Sequence, residues 1–448
     1  MSDSRLALDF PAVSGKVVTG RFDGGDITSD SGLLLLSEAD QKIGLVSALS
    51  GVIADKRQSS KVRHALPTLL SERIFAIACG YEDTNDLDTL CNDPALKLAC
   101  GRAPQSDPAL ASQPTLSRLE NCVSKKDLVR MGRALASCVV DQLPSGTKQV
   151  VIDIDAMEDP CHGQQEFEFF NAFYDSHCFL PLLLYVTDET GRQRLMAVLL
   201  RSGKPGNAGV HGLIRRAVSI LRERFPNLEI VLRADAGFGN DKVLRLCGDL
   251  KLSYVLGLSG NRRLHTLSTS TQMQACCKYT FEKEAWKEEG VCREFNAFEY
   301  KAGSWDKKRT VVVKAEITQG KLNPRFVVTD IHKDSPEQAY YYYCARGDRE
   351  NRIKEFKLDL AGGRTSCHRF LANQFRVLLH TAAAVLMGVI QEAAATTQWA
   401  AAQAATIRLR LLKVGARVVE TARRIWVHLS SSYPNQSAWH TIHQAIRT

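Results

Sequence analysis

Residues 149–155 read Gln149-Val150-Val151-Ile152-Asp153-Ile154-Asp155. A short apolar, β-branched run that ends in carboxylates predicts a buried strand with charge at its end. Further strands are predicted over Cys178–Val186 (interrupted by Pro181), Arg194–Leu200, Leu228–Ala234 with Asp235 at its end, and Ser253–Leu258. Between them, Gly209–Phe225 carries Leu213, Ala217, Ile220 and Leu221 at helical spacing, and Lys242–Leu250 reads as a second helix. Strands followed by alternating helices and strands describe an α/β domain with a mixed sheet.

Outward from this core the pattern changes. Residues 261–335 hold β-rich pieces at Val291–Tyr300, Thr310–Ile317 and Pro324–Asp330, an expected β insertion. Pro336–Leu360 predicts one long helix, and Phe370–Ala395 a second, more apolar one. The Ala-rich stretch Ala393–Ala405 also reads as helix. Residues 1–145 read as mainly helical, with Ser29-Asp30-Ser31-Gly32 as a cap before Leu33 and a helix start at Pro114. The expected organisation is therefore a helical N-terminal domain (1–145), a core in two parts (146–260 and 336–400) around the insertion (261–335), and a C-terminal segment (401–448).

Composition narrows the function. The 448 residues are 44% hydrophobic and 24% charged, as in ordinary globular proteins, so wholesale disorder is excluded. Basic residues number 58 and acidic ones 49, a net charge of +9 that permits nucleic acid as a partner. Residues 401–448 are the most basic part, with Arg408, Arg410, Lys413, Arg417, Arg423, Arg424 and Arg447 against Glu420 alone. A smaller cluster, Lys56, Arg57, Lys61 and Arg63, is either a solvated face or a DNA contact. The 13 cysteines form no C-x-x-C pair, which argues against a zinc knuckle and for reduced thiols. The start has no basic segment followed by an apolar run, and Val377–Ile390 is shorter than the roughly 20 residues a membrane span needs. The expectation is a cytoplasmic protein without a membrane partner.

Three features carry chemistry. Asp153 and Asp155 end one strand, and Asp235 ends another. Tyr343, Arg346, Glu350 and Lys357 stand at offsets that align them along one face of the long helix. Carboxylate oxygens suit the hard Mg²⁺ ion. Two such ions about 4 Å apart can activate a water and stabilise the leaving oxygen of a phosphodiester. Arginine and lysine nearby can hold phosphates. Each piece alone has an ordinary structural reading, as a loop cap or a solvated ion pair. The order Asp, Asp, Glu on an α/β pattern gives them joint weight. His162 and Glu166 share the spacing of a helical metal pair, but Gly163 weakens a helix and only two ligands are present. Gly237-x-Gly239 lacks the third glycine of a dinucleotide fingerprint, since Lys242 stands there.

The string Tyr343-x-x-Arg346-x-x-x-Glu350-x-x-x-x-x-x-Lys357 resembles the Tyr-Arg-Glu-Lys signature of one branch of insertion-sequence DDE transposases. Asp235-Ala236-Gly237-Phe238 is similar to that branch's second-aspartate motif, and His162-Gly163-Gln164-Gln165-Glu166 to a string that follows the first aspartate in one subgroup. The resemblance spans roughly Gly24–Pro434. It implies an RNase H-like catalytic core with a β-rich insertion ahead of the glutamate helix, and a helical N-terminal domain that reads terminal inverted repeats. It implies Asp155, Asp235 and Glu350 as the catalytic metal ligands of two Mg²⁺ ions, with Mn²⁺ able to substitute. Tyr343, Arg346 and Lys357 would contact DNA phosphate. A tryptophan of the insertion, Trp286 or Trp305, would stack on a flipped base or else fill the β core. Partners would be inverted-repeat and target DNA, with a homodimer on paired ends in a bacterial cytoplasm. The branch often has Thr or Ser two residues after its first aspartate. Here Asp155-Ala156-Met157 departs from that, so Asp153 competes with Asp155 as the first ligand. An RNase H-like nuclease without strand transfer and a retired DNA-binding relic are the other readings.

Overall fold

The structure, a computed structural model, describes residues 7–204, 206–281, 291–331 and 333–448, with Asp348 and Arg349 in backbone only. Its contacts divide the chain into two compact units.

One unit comprises Ser124–Lys357 and Gly362–Thr381. Its strands are β1 (Gln149–Ala156), β2 (Asp159–Pro160), β3 (Phe169–Asn171), β4 (Ser176–Phe179), β5 (Leu182–Thr187), β6 (Gln193–Leu199), β7 (Glu229–Ala234), β8 (Ser253–Leu258), β9 (Val291–Tyr300), β10 (Arg309–Thr318) and β11 (Lys321–Thr329). Its helices are α1 (Lys125–Val140), α2 (Val210–Arg224), α3 (Asp241–Asp249), α4 (Arg262–Leu267), α5 (Thr269–Phe281), α6 (Pro336–Cys344), α7 (Asp348–Lys354) and the start of α8 (Phe370–Ala393). Eight strands form one mixed sheet in the order β9-β10-β11-β8-β7-β1-β5-β6. β7 runs parallel to both β1 and β8, and the other pairings are antiparallel. A second, small sheet has the order β2-β4-β3.

The sequence pattern explains the core. β5 is an unbroken apolar run, and Leu182–Val186 are all buried. Ile152 and Ile154 of β1 are buried, as are Leu232 of β7 and Leu256 of β8. α1 starts at a capping box in which Ser124 and Asp127 satisfy each other's backbone N–H groups. The β-rich stretch does not close on itself as a separate insertion. β11 pairs with β8, Val255 opposite Thr329, so β9–β11 extend the core sheet, and α5 packs Ala275 against Ala315 and Ile317.

Two helix expectations fail. The segment from Pro336 is not one helix: α6 ends at Cys344, residues 345–347 form a turn, α7 follows, and Glu355–Asp359 is a π turn. The backbone tightens there to i−3 bonds, Arg346 N to Tyr343 O at 3.1 Å and Gly347 N to Cys344 O at 2.7 Å. Gly347, a weak helix former, begins the next element. The Ala-rich stretch is likewise mostly turns after Ala393, because Thr397 bonds locally, its hydroxyl donating to Ala394 O at 2.8 Å and accepting from Trp399 N at 3.1 Å.

The other unit comprises Met1–Val123, Leu358–Ala361 and Ala382–Thr448. It holds helices Leu33–Ile43, Leu45–Val52, Leu66–Ala78, Leu87–Leu90, Pro94–Ala99, Gln113–Cys122 and Gln436–Arg447, and opens on a β-hairpin, Leu8–Val13 with Lys16–Gly20. A three-stranded sheet joins Ile425–Leu429 and Ala416–Glu420 to Ile27–Thr28. The basic C-terminal segment is thus folded together with the N-terminal helices. Gly32, rather than a serine, stands at the N-cap of the first helix, because a Cβ there would clash with the Leu411 and Leu412 backbone.

Among the described residues, one helix, Phe370–Ala393, is long and apolar enough to cross a membrane. The apolar stretch is therefore part of a longer helix than its own length suggests. Most of its residues are already buried by protein, which is the pattern of a core helix.

Candidate active site

The parallel pairing of β1 and β7 sets Arg233 opposite Asp153 and Ala234 opposite Ile154. Asp155 on β1 and Asp235, one residue past β7, therefore emerge side by side on strands about 4.8 Å apart. Asp153 and Asp155 lie on the same face of β1, yet their surroundings differ. Asp153 is fully buried and clamped by Arg233, Nε to Oδ1 at 2.8 Å and Nη2 to Oδ2 at 3.0 Å. Arg233 also donates Nη1 to the Tyr342 carbonyl at 2.8 Å. Both Asp153 oxygens thus serve an internal ion pair, and Asp155 is the half-buried carboxylate at the strand end. Asp155 Oδ1 accepts from the Ala156 N–H, and Oδ2 accepts Nη2 of Arg346 at 2.6 Å.

Asp235 opens a tight turn in which Oδ1 accepts the Gly237 N–H at 2.9 Å and its carbonyl accepts the Phe238 N–H at 3.1 Å. The turn is pressed onto β8. A Cβ on Gly239 would collide with the Gly257 carbonyl, and one on Gly257 would lie 2.6 Å from Ala236 N and 2.8 Å from the Tyr343 hydroxyl. Burial raises the Asp235 pKa, the nearby Asp155 charge raises it further, and Arg346 opposes both. Burial works against the charged form of Arg346, but Asp155 beside it holds the guanidinium above the usual arginine range. Arg346 Nη1 also lies 3.4 Å from the Tyr343 hydroxyl, so it bridges the signature tyrosine to the first aspartate.

The broken helix separates the rest of the signature. Glu350 is exposed on α7. Lys357 lies in the π turn and pairs with Glu158, Nζ to Oε2 at 3.4 Å, while Glu158 Oε1 accepts from the Ser176 hydroxyl at 2.9 Å. The structure brings Asp155, Asp235, Tyr343 and Arg346 together. Among the described residues, no group of three carboxylates, histidines or cysteines is gathered for a metal.

The family described as transposase DDE domain, group 1, matches residues 10–448. The chain belongs to this transposase family. No curated protein matches it. Among solved structures, a piggyBac transposase synaptic complex with hairpin DNA is similar at 13% identity and a TM-score of 0.39, covering 81% of this chain and 74% of that one. DDE transposase domains act as nucleases and transesterases and work with divalent metal ions.

In donor chemistry the residues of this DDE domain suit such an ion in part: two carboxylates, Asp155 and Asp235, sit side by side at adjacent strand ends, and Arg346 now occupies Asp155 Oδ2.

Other expected residues fall elsewhere. The His162–Glu166 pair does not form a metal site. The string that contains it straps one segment to another: Gln165 donates to Thr365 O at 2.5 Å, Glu166 N to His368 O at 3.0 Å, and Glu166 Oε2 caps the Phe370 N–H at 2.9 Å. Beneath it, Asp159 is fully buried, accepts from the Thr365 hydroxyl at 2.8 Å and leaves Oδ1 without a partner. Burial pushes its pKa up to about 7. Trp305 is buried against Tyr300, ring centroids 5.4 Å apart, and so is closed to a base. Trp286 lies outside the described residues. Lys56, Arg57, Lys61 and Arg63 are exposed and line a cavity of about 670 Å³ with Arg118. Arg57 is paired with Asp55 at 2.6 Å, which leaves Lys56, Lys61 and Arg63 open.

Sequence reasoning missed Glu158, Arg233 and Gly257. Glu158 carried a signal, a third carboxylate three residues past Asp155. Arg233 and Gly257 carried none, because their roles depend on strand register.

Proposed function

We propose that the chain is an insertion-sequence transposase. It binds terminal inverted repeats, cuts DNA at the transposon boundary, and joins the freed 3′-hydroxyl to target DNA. The observation that carries this reading is the placement of Asp155 and Asp235 at adjacent strand ends, with Arg346 of the signature seated on Asp155. The order β6-β5-β1-β7-β8, an antiparallel meander followed by two parallel strands, supports an RNase H-like core.

Asp155, Asp235 and Glu350 would hold two Mg²⁺ ions, with Mn²⁺ able to replace them. Bound there, the ions would activate water and stabilise the leaving oxygen. Arg346, Lys357 and Tyr343 would bind and orient the phosphates. In the free protein Arg346 and Lys357 rest on Asp155 and Glu158, so DNA phosphates would exchange one anionic partner for another. Lys56, Lys61 and Arg63 would track the DNA backbone, with Arg57 as their scaffold. Joining two ends requires two active sites, hence a homodimer on paired ends, acting on the nucleoid in the bacterial cytoplasm.

The test is a labelled duplex carrying the inverted repeat, incubated with the protein, Mg²⁺ and a target plasmid. Cutting at the repeat boundary followed by joining to the plasmid is the expected result. Cutting without joining would assign a nuclease lacking strand transfer. Specific binding without cutting would assign a DNA-binding relic.

A further inference from the structure

The hairpin Leu8–Val13 with Lys16–Gly20 takes no part in the proposed reaction. Its turn, Ser14-Gly15, has φ of 51° and 75°, the two positive values that a two-residue hairpin loop requires. Cross-strand pairs fix the register: Leu8 faces Gly20, Asp9 faces Thr19 and Phe10 faces Val18. The Thr19 hydroxyl also donates to Asp9 Oδ1 at 3.3 Å. The arm is thus pre-formed, yet every residue of its two strands is exposed except the half-buried Gly20. Leu8, Phe10, Val13, Val17 and Val18 are its large apolar side chains, and Val17 is 82% exposed. A two-stranded hairpin on its own is marginal in water, and apolar surface of this extent marks a contact. The arm carries one cation, Lys16, and one anion, Asp9, so it offers no net charge to a DNA backbone.

The same unit carries a complement. Strand Ile425–Leu429 is the free edge of the sheet it forms with Ala416–Glu420 and Ile27–Thr28. Its ladder to Ala416–Glu420 runs without a bulge, it holds neither lysine nor proline, and Ile425, Trp426 and Leu429 are exposed. Folded proteins blunt such edges, because the open N–H and C=O groups pair with any strand presented to them. The free edge strand β9 of the core sheet is blunted in this way, by Arg293, Glu294 and Glu299. On the arm, Pro11 interrupts the donors of Leu8–Val13. Lys16–Gly20 has no proline and spans five residues, the length of Ile425–Leu429.

The arm joins its own sheet at Ile27–Thr28, the edge opposite Ile425–Leu429. Asp26, the last residue before that edge, is pinned there, its carbonyl accepting the Val418 N–H at 2.8 Å. Within one chain the arm and the free edge are thus both exposed. The exposed parts of their eight large apolar side chains come to roughly 750 Å² per chain, so a reciprocal exchange would bury about 1,500 Å², the size of a stable specific interface.

We propose that the Leu8–Gly20 arm docks on a second copy of this chain, its Lys16–Gly20 strand adding to the free edge of Ile425–Leu429, and that the exchange is reciprocal. Main-chain hydrogen bonds along the added strand supply affinity, and the apolar side chains of arm and edge cover one another. A two-fold exchange closes on itself and joins two copies without DNA. The inference deepens the homodimer of the proposed function and rests on that reading for its purpose, which is to hold two active sites together.

Sedimentation equilibrium of the full chain without DNA tests it, on wild type, on Val17→Lys in the arm, on Trp426→Lys in the edge, and on an equal mixture of the two variants. Both positions are exposed, so each variant should keep the wild-type circular dichroism spectrum. Wild type should be a dimer at micromolar concentration. Each variant alone should dissociate about a hundredfold more readily, tenfold for each of two symmetry-related contacts. The mixture should recover heterodimers, because one intact arm then meets one intact edge. A monomeric wild type, variants that dimerise like wild type, or a mixture no better than its parts would each overturn the exchange. Cutting of the inverted-repeat duplex is measured on the same samples. If wild type dimerises through this surface but never cuts, the arm exchange stands and the cutting reading fails. If wild type cuts and both variants dimerise as it does, the cutting reading stands and the arm exchange fails.

Discussion

Asp153 and Asp155 stand on the same face of one strand, two residues apart, and removing them should fail in opposite ways. Asp153→Ala leaves the Arg233 guanidinium buried against Tyr342 without its carboxylate partner. Breaking a buried pair by deleting one partner costs about 3–5 kcal/mol, because the other charge remains uncompensated. For the 254 residues of this unit (234 in Ser124–Lys357 and 20 in Gly362–Thr381), roughly 3 °C of Tm per kcal/mol gives a fall of about 10 °C. Asp155→Ala removes a half-buried carboxylate that repels Asp235, and Arg346 can turn to Asp235 instead. Its stability should change by less than about 1 kcal/mol while DNA cutting is abolished. The double change Asp153→Met with Arg233→Met should recover much of the lost stability, since an apolar pair needs no charge compensation. The assay is urea and thermal unfolding followed by circular dichroism, with DNA cutting measured in parallel. If Asp153→Ala folds like wild type but loses cutting, the ion-pair assignment is refuted and Asp153 becomes the metal ligand.

Two further outcomes follow from the geometry. Asp159, raised to about 7 by burial, keeps in the folded chain a proton that the unfolded chain has released. Stability should therefore fall as pH rises from about 4 to about 7 and level off above, by up to about 4 kcal/mol, and Asp159→Asn should flatten that slope and be the more stable protein near pH 8. Unfolding curves across pH check this, and an unchanged slope in the variant would reject it. Gly257→Ala places a methyl 2.6 Å from Ala236 N and 3.0 Å from the Asp235 carbonyl carbon, so it must shift the Asp235 turn. Cutting should drop by about a hundredfold, as expected for an ångström-scale misplacement, and a wild-type cutting rate would refute the close-approach account.

The strands were legible because their apolar runs are short and bounded. Ser253–Leu258 appears where the pattern places it, and Leu228–Ala234 is off by one residue. The strand-end positions of Asp155 and Asp235 were legible because each closes a short apolar run. The single helix over Pro336–Leu360 was not, because residue spacing carries no record of the turn at 345–347, where Arg346 is held on Asp155. Arg233 illustrates the limit more sharply. It reads as one polar residue in an apolar run, and only the β1–β7 register reveals Asp153 opposite it. Trp305 was a candidate for base stacking by residue type alone, and its burial against Tyr300 was not written in its neighbours.

The most direct test of the central claim is metal-directed backbone cleavage, with Fe²⁺ replacing Mg²⁺ in the presence of inverted-repeat DNA and ascorbate. If Asp155, Asp235 and Glu350 hold a common metal, the chain should be cut near all three positions, Mg²⁺ should suppress the cuts, and Asp155→Asn should abolish them. Cuts near Asp155 and Asp235 but none near Glu350, or cuts that persist in Asp155→Asn, would contradict the account.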